Sequence, residues 1–397
     1  MNSGFAGGGN SSFLCRYAEY HCCIRILICF IVQYDRTEYF TCGIMMLNTD
    51  TCSMVELRSR LDQLPTFPLA HLPTPLEFLD RLTDTLGGPR IWIKRDDCTG
   101  LAFGGNKTRH NEILIADALQ QGADTVVWGA GVQSNNCRQT AAACAKAGLD
   151  CHLVLGRGAP ANGPDPVQGN LLLDHIVGAS IEIVDEPEGP ELDEKIAQAA
   201  VRLRREGRRV YDRDPKYVKP LAALSYVGCL IELLEQAATA DLAPDAVYVC
   251  SAGSTGAGVA LATAALGLAL PVTCVTPIVW PWDTQAAMIR IANDAAERLK
   301  IGTRLNTDSF NLTEDYVGPH YGALTAGCLE AIELLARTEG ILLDPCYSGK
   351  SMACLIDHIR KGIVARDQDV VFIHTGGTPA LFAYNEQLAN EIDRPSF

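Results

Sequence analysis

No two cysteines in this sequence form a C-x-x-C pair, although sixteen are spread over its 397 residues. That absence excludes the usual dithiol redox motif and the usual zinc-finger spacing, and no metal site is expected. Six of them (Cys15, Cys22, Cys23, Cys29, Cys42, Cys52) fall within the first 53 residues, and the other ten are scattered singly through apolar stretches such as Tyr248-Val249-Cys250. Free buried thiols in a reducing, cytoplasmic compartment are the expectation. Positive charge is also scarce: 33 Lys and Arg stand against 47 Asp and Glu, a formal net charge of −14. Such a chain gains nothing from phosphate counterion release, so nucleic acid is not an expected partner. The acidity reads as solubility. The apolar run Cys22–Val32 contains Arg25 and is eleven residues long. A membrane span needs about 20, so no membrane is expected as a partner.

What is present is a large apolar fraction, 48%, enough for a sizeable core and a two-lobed body. Residues 1–53 differ from the rest. They are rich in Gly, Ser, Cys and Tyr without helical or strand period, and read as an atypical extension, disordered or outside the native product. From Ile91 onward short apolar runs alternate with longer stretches of helical spacing. The runs are 91–94, 125–129, 151–156, 180–184, 246–250, 271–276, 341–344 and 370–375. Helical stretches such as 111–121, 138–147, 192–205, 221–237 and 325–338 separate them. Glycines at 122, 148, 207, 267 and 340 fall where a left-handed C-terminal cap is wanted. This alternation predicts an α/β protein with mostly parallel sheets covered on both faces.

Ligands of such sheets bind beyond the carboxyl ends of the strands. The Gly-rich polar segments 96–107, 129–136, 251–258, 344–350 and 375–379 all fall there, which suggests one site assembled from distant parts of the chain. In Gly104-Gly105-Asn106-Lys107, Lys107 opens a helix. A lysine condenses with an aldehyde only when its amine sheds a proton, which burial promotes. An ordinary surface lysine is the bland alternative. Gln133-Ser134-Asn135-Asn136 precedes a helix and can cap it or meet a substrate carboxylate. Ser251–Gly258 has the composition of a phosphate cradle without the Gly-Lys-Ser/Thr ending of a nucleotide loop. Tyr347 is a candidate proton donor or acceptor. His374 reads as a satisfied strand-end residue.

Together these segments resemble the family of 1-aminocyclopropane-1-carboxylate deaminases and D-cysteine desulfhydrases. The likeness runs from about Pro65 to Tyr384 and is carried by IKRDDCTGLAFGGNKTR, VQSNNCRQTAA, SAGSTGAG, DYVGPHYG, LARTEGILLDPCYSGKSM and FIHTGGTPALFAY. It implies fold type II of the pyridoxal 5'-phosphate enzymes, with a tryptophan synthase β-like architecture. Residues 54–109 and 221–397 would form a large cofactor-binding lobe and 110–220 a small one. Lys107 becomes the covalent lysine. Asn135 faces the ring near its phenolic oxygen, and Gly253, Ser254, Thr255 and Gly256 hold the phosphate. Ser134, with Gln133 and Asn136, meets the substrate, and Tyr321 and Tyr347 sit over it. A homodimer is the expected assembly.

Two positions divide the family. Ring-opening deaminases resemble DPVYEGK and HLGG, whereas desulfhydrases carry Ser or Thr and then Thr. This sequence has Ser348 and Thr375. A hydroxyl near the pyridine nitrogen keeps it protonated less well than a carboxylate does. The resemblance therefore implies β-elimination, foremost from D-cysteine to pyruvate, sulfide and ammonia. L-cysteate sulfo-lyase and ring-opening deaminase activities are the alternatives. A non-catalytic pyridoxal-phosphate carrier is the rival of another class, and retention of Lys107, Ser134 and both tyrosines argues against it. The sequence departs from the family at Ala252, where threonine or serine is common, and at Trp280-Pro281-Trp282.

Overall fold

Alternation along each strand sets the layers. The computed structural model describes residues 51–157 and 165–392. Its larger sheet has six strands in the order β1 (Leu76–Phe78), β2 (Arg90–Lys94), β10 (Asp369–Ile373), β7 (Ala246–Cys250), β8 (Val272–Val275) and β9 (Asn311–Thr313). All pairs are parallel except β1 with β2. In β10, Val370 and Phe372 point to one core while Val371 and Ile373 point to the other. A sheet apolar on both faces needs helices on both. Helices α10 (Ala326–Glu339) and α11 (Ser348–Arg360) cover one face together with α2 (Asp80–Leu86). The other core holds α7 (Pro215–Thr239), α8 (Ser254–Ala265) and α9 (Thr284–Arg298). Among the described residues α7 is the one helix long and apolar enough to cross a membrane, and 72% of its apolar window is buried inside the protein.

The second sheet is wholly parallel, in the order β5 (Ser180–Val184), β4 (Asp150–Gly156), β3 (Thr125–Gly131) and β6 (Val210–Asp212). On one side lies α6 (Pro190–Arg205), packed on Val127 and Val154. Helix α4 (Asn135–Ala147) and helix α3 (Asn106–Gln120) share the core on the other side. The capping signals work as read: Gly148 and Gly340 close α4 and α10 in the left-handed region.

Two readings change. In the segment 341–344, Ile341, Leu343 and Asp344 are buried and Leu342 is exposed, an alternation that nonetheless forms no strand. Its polar groups go to side chains instead of a ladder: His374 Nε2 donates to Leu342 O (3.1 Å), and Asp344 N–H donates to Ser348 Oγ (2.8 Å). The atypical leading segment ends sooner than 53. Cys52 N–H donates to Ala265 O at 2.8 Å, and Ser53 caps α1 (Met54–Leu61), so 51–53 belong to the folded body. The rest of that segment lies outside the described residues.

Candidate active site

One cavity at the carboxyl ends of both sheets gathers most of the candidate residues. Lys107 is the second residue of α3, reached through Gly104 (φ 65°) and Gly105 (φ 122°), conformations that suit only glycine there. Thr99 Oγ1 donates to Gly105 O (2.9 Å) and accepts from Gly105 N–H (2.8 Å). Asn106 N–H donates to Thr375 O at 3.0 Å, and a Cβ on Gly376 would come within 2.7 Å of Gly105 Cα. The lysine loop and the 375–377 loop are thus clamped together. From below, Arg138 donates to the carbonyls of Ala102 and Gly104. Burial lowers the Lys107 amine to about 8, with Lys219 and Arg213 pushing the same way.

Ser134 caps α4, its hydroxyl accepting from Asn136 N–H and Cys137 N–H at 3.2 Å each. Ser134, Asn135 and Asn136 line the cavity. Across it, Gly253, Ser254 and Thr255 line the N-terminus of α8. The N–H groups of a first helical turn have no intrahelical acceptor and attract anions. A Cβ added to Gly253 would meet nothing within 4 Å, so this cradle is open. Asn106 Nδ2 donates to Thr255 Oγ1 at 2.9 Å, and His110 Nε2 lies 3.2 Å from the same hydroxyl. Tyr321 and Tyr347 also line the cavity, with their hydroxyls hydrogen-bonded to each other and their rings edge-on at 6.0 Å. Burial raises both phenols well above their ordinary range, so each keeps its proton. Thr375 is on the lining, and Trp280 lines one side while stacking on Trp282 at 4.7 Å.

Three candidates do not reach the cavity. The Gln133 side chain turns to the start of α5 (Gly169–Ile176): Oε1 accepts from Asn170 N–H (2.9 Å) and Nε2 donates to Gln168 O (3.1 Å). Gly256 gives its N–H to Ser251 Oγ at 2.8 Å, and a Cβ there would strike Cys274 Sγ at 2.5 Å, so it is a packing glycine. Ser348 is fully buried. Its Oγ donates to Asp344 Oδ1 at 2.6 Å instead of facing a ring. Conversely, the cavity includes His110, Trp128, Glu188, Arg213 and Lys219, which the sequence reading left out. His110 was within reach, being one helical turn beyond Lys107.

A family model described as "Pyridoxal-phosphate dependent enzyme" matches residues 68–376. The chain belongs to this family. Relatives named 1-aminocyclopropane-1-carboxylate deaminase include one from Burkholderia ambifaria (strain MC40-6), 41% identical over 337 residues, covering 83% of this chain and 99% of the relative. Another from Burkholderia vietnamiensis is 41% identical over 333 residues, covering 82% of this chain and 98% of the relative. A solved structure described as an ACC deaminase homologue superposes with TM-score 0.77 at 31% identity, covering 85% of this chain and 99% of that one. A solved threonine deaminase from T.th. superposes with TM-score 0.56 at 20% identity, covering 82% and 98%, a likeness of fold alone. The architecture is fold type II, and this chain is a pyridoxal-phosphate-dependent lyase. The residues present fit that cofactor. Lys107 is a half-buried, cavity-lining amine whose desolvation lets it shed its proton near pH 8, the open α8 cradle suits a phosphate, and Asn135 adds an amide beside them.

Proposed function

We propose that this enzyme deaminates a small amino acid at Lys107, with 1-aminocyclopropane-1-carboxylate as the foremost substrate. The observation that carries the deaminase reading is the convergence of Lys107, the α4 N-terminus and the Tyr321–Tyr347 pair on one cavity. The choice of substrate rests on the names of relatives that this chain covers almost end to end. When bound, the cofactor supplies an electron sink for charge left on the substrate's α-carbon. The protein does the rest. The N-terminus of α4 at Ser134–Asn136 receives the substrate carboxylate. The α-carbon of 1-aminocyclopropane-1-carboxylate carries no proton, so Lys107 Nζ, whose lowered basicity permits proton transfer, moves protons at the ring methylene carbons as the bond from the α-carbon to one of them breaks. One tyrosine hydroxyl donates to the other, leaving a single phenolic proton to hold toward the substrate. Trp280 adds an indole face to the cavity wall.

A second reading, β-elimination from a cysteine-like substrate, is favoured by Thr375 on the lining and by the lack of a carboxylate at 348. Because Ser348 Oγ is committed to Asp344, this reading leans on the missing carboxylate and not on a hydroxyl at the ring.

One experiment separates the two. The purified enzyme is given 1-aminocyclopropane-1-carboxylate, D- and L-cysteine, and L-cysteate, and the keto acid is identified. Release of 2-oxobutanoate from the cyclopropane substrate supports ring opening; pyruvate alone, from cysteine, replaces it with elimination. Borohydride reduction followed by peptide mapping should label Lys107, and label on another lysine removes the assigned centre.

A further inference from the structure

Asn135 can face the cavity with either end of its amide, and the structure fixes which. Behind it, at the start of α5, Asn170 is fully buried. Its Nδ2 donates to Gln133 O at 2.9 Å and to Asn135 Oδ1 at 3.0 Å, while its own N–H donates to Gln133 Oε1 at 2.9 Å. Gln133 O is a carbonyl and can only accept. Flipping Asn170 would set oxygen against oxygen twice, so its NH2 must face the turn. Asn135 Oδ1 must then face Asn170, where Arg138 Nη2 also reaches it at 3.5 Å. The Asn135 NH2 is left for the cavity. This arrangement has a cost: Asn170 Oδ1 is buried with no partner among the described residues. A native protein tolerates such a group where the rest of the geometry is used.

We propose that Asn170 is a positioning residue that locks the Asn135 amide with its donors, and no acceptor, toward the bound cofactor's ring oxygen. The proposal rests on the reading that Lys107 holds the cofactor. A donor aimed at that oxygen stabilises its anionic form and weakens its hold on the proton shared with the imine nitrogen. Reversing or freeing the amide strengthens that hold. The other charged groups around the site are Lys219, Arg213, Glu188, His110 and the two tyrosines, and behind Asn135 stand Arg138 and, on the helix of Asn170 itself, Asp174. Asn170→Ala adds no charge beside any of them, so its difference from the parent isolates Asn135, whereas Asn170→Asp also places a carboxylate near Arg138.

The test uses the holoenzymes of Asn170→Asp and Asn170→Ala, with the visible absorption of the bound cofactor titrated against pH. In Asn170→Asp the donor becomes an acceptor and Asn135 is driven to reverse; the midpoint should rise by about one pH unit. In Asn170→Ala the amide is merely freed. The midpoint should rise by roughly half a unit, with cofactor dissociation about tenfold easier. The Ala variant keeps the test open where the Asp variant does not fold. Thermal midpoints of the cofactor-free proteins report the structural part. A variant that loses thermal stability but keeps the parent's spectral midpoint overturns the lock. Failure of borohydride to label Lys107 in the parent brings down the cofactor reading and the lock with it, whereas label with an unmoved midpoint brings down the lock alone.

Discussion

Two buried Arg–Asp clusters flank the lysine loop, and they are built on opposite terms. Under α3, Arg109 donates to Asp96 through Nε (2.9 Å) and Nη2 (2.8 Å), and to Glu232 through Nη1 (3.0 Å) and Nη2 (2.8 Å). Thr74 Oγ1 and Tyr226 Oη complete Asp96, and Lys94 Nζ, at 2.5 Å, completes Glu232. Burial alone would raise the Asp96 carboxyl, yet Arg109 holds it below its ordinary value. Under α4, Arg138 and Asp174 are equally buried, but neither Asp174 oxygen nor Arg138 Nε has a partner among the described residues. Burial raises Asp174 to about 8 and lowers Arg138 to about 10. The first cluster is a satisfied staple joining β2, α3 and α7. In the second, Arg138 spends its donors on the backbone that shapes the lysine loop, and Asp174 feels its charge only from a distance, with no hydrogen bond among the described residues. A buried charge pair stabilises only when its remaining groups are satisfied, so the same two residue types serve rigidity in one place and site geometry in the other.

The sharpest way to break the comparison is to remove each arginine. Arg109→Met strands Asp96 and Glu232 and should destabilise the protein by about 3–5 kcal/mol, the usual cost of leaving a buried charge unpaired. Arg138→Met should cost less global stability, roughly 1–3 kcal/mol, because its main partners are carbonyls. It should instead weaken cofactor retention, since Ala102 and Gly104 lose their anchor. Denaturant unfolding and cofactor release measure the two. An equal loss of stability in both would mean that the clusters are alike after all.

The next test concerns pH. The Asp174 carboxyl holds its proton in the folded protein up to about pH 8, whereas in the unfolded chain it releases it near 4. Between those values the folded state binds more protons than the unfolded one, so this group's contribution declines as pH rises through that window and is lost above it. Asp174→Asn removes the titration. It should leave stability at pH 4 nearly unchanged and raise it at pH 9 by roughly 2–3 kcal/mol. Thermal unfolding across that range checks it. A parallel shift at every pH would show that Asp174 is already charged in the fold.

Much of this was legible in the sequence, because strand-end loops announce themselves by glycine and polarity. Seven of the eight apolar runs became strands, and the segments around Lys107, Ser134, Ser254, Tyr347 and Thr375 do converge. What escaped notice depended on direction and on distant partners. Gln133 and Ser348 sit in the right loops, but a backbone N–H of α5 and the Asp344 carboxylate claim their side chains. No spacing rule sees those claims. Arg213 and Lys219 follow β6, a strand of three residues too short to give a period. Had that strand been read, the strand-end rule would have flagged Arg213. The Arg138–Asp174 cluster was invisible for another reason: α4 and α5 meet only through the tertiary fold.

The smallest expected effect sharpens the role of Lys107 between the two clusters. Its amine is lowered to about 8 first by burial and next by Lys219, with Arg213 contributing further. Lys219 itself makes no hydrogen bond or ion pair among the described residues, so its charge is not cancelled by contact, although Glu188 and Asp193 act on it from a distance. An amine condenses with an aldehyde in its neutral form, so cofactor uptake by the empty enzyme should rise with pH and level off above about 8. Lys219→Met keeps the length of the side chain and most of the burial while deleting one positive neighbour. The uptake midpoint should then move upward by roughly half a unit, because a like charge that disfavoured protonation is gone. Rates of visible-band growth on adding pyridoxal phosphate, taken from pH 6 to 10, measure it. The phosphate cradle lies on α8, so affinity at saturating pH should change little. A midpoint that falls, or stays fixed while affinity collapses, would place Lys219 at the phosphate and not beside the amine.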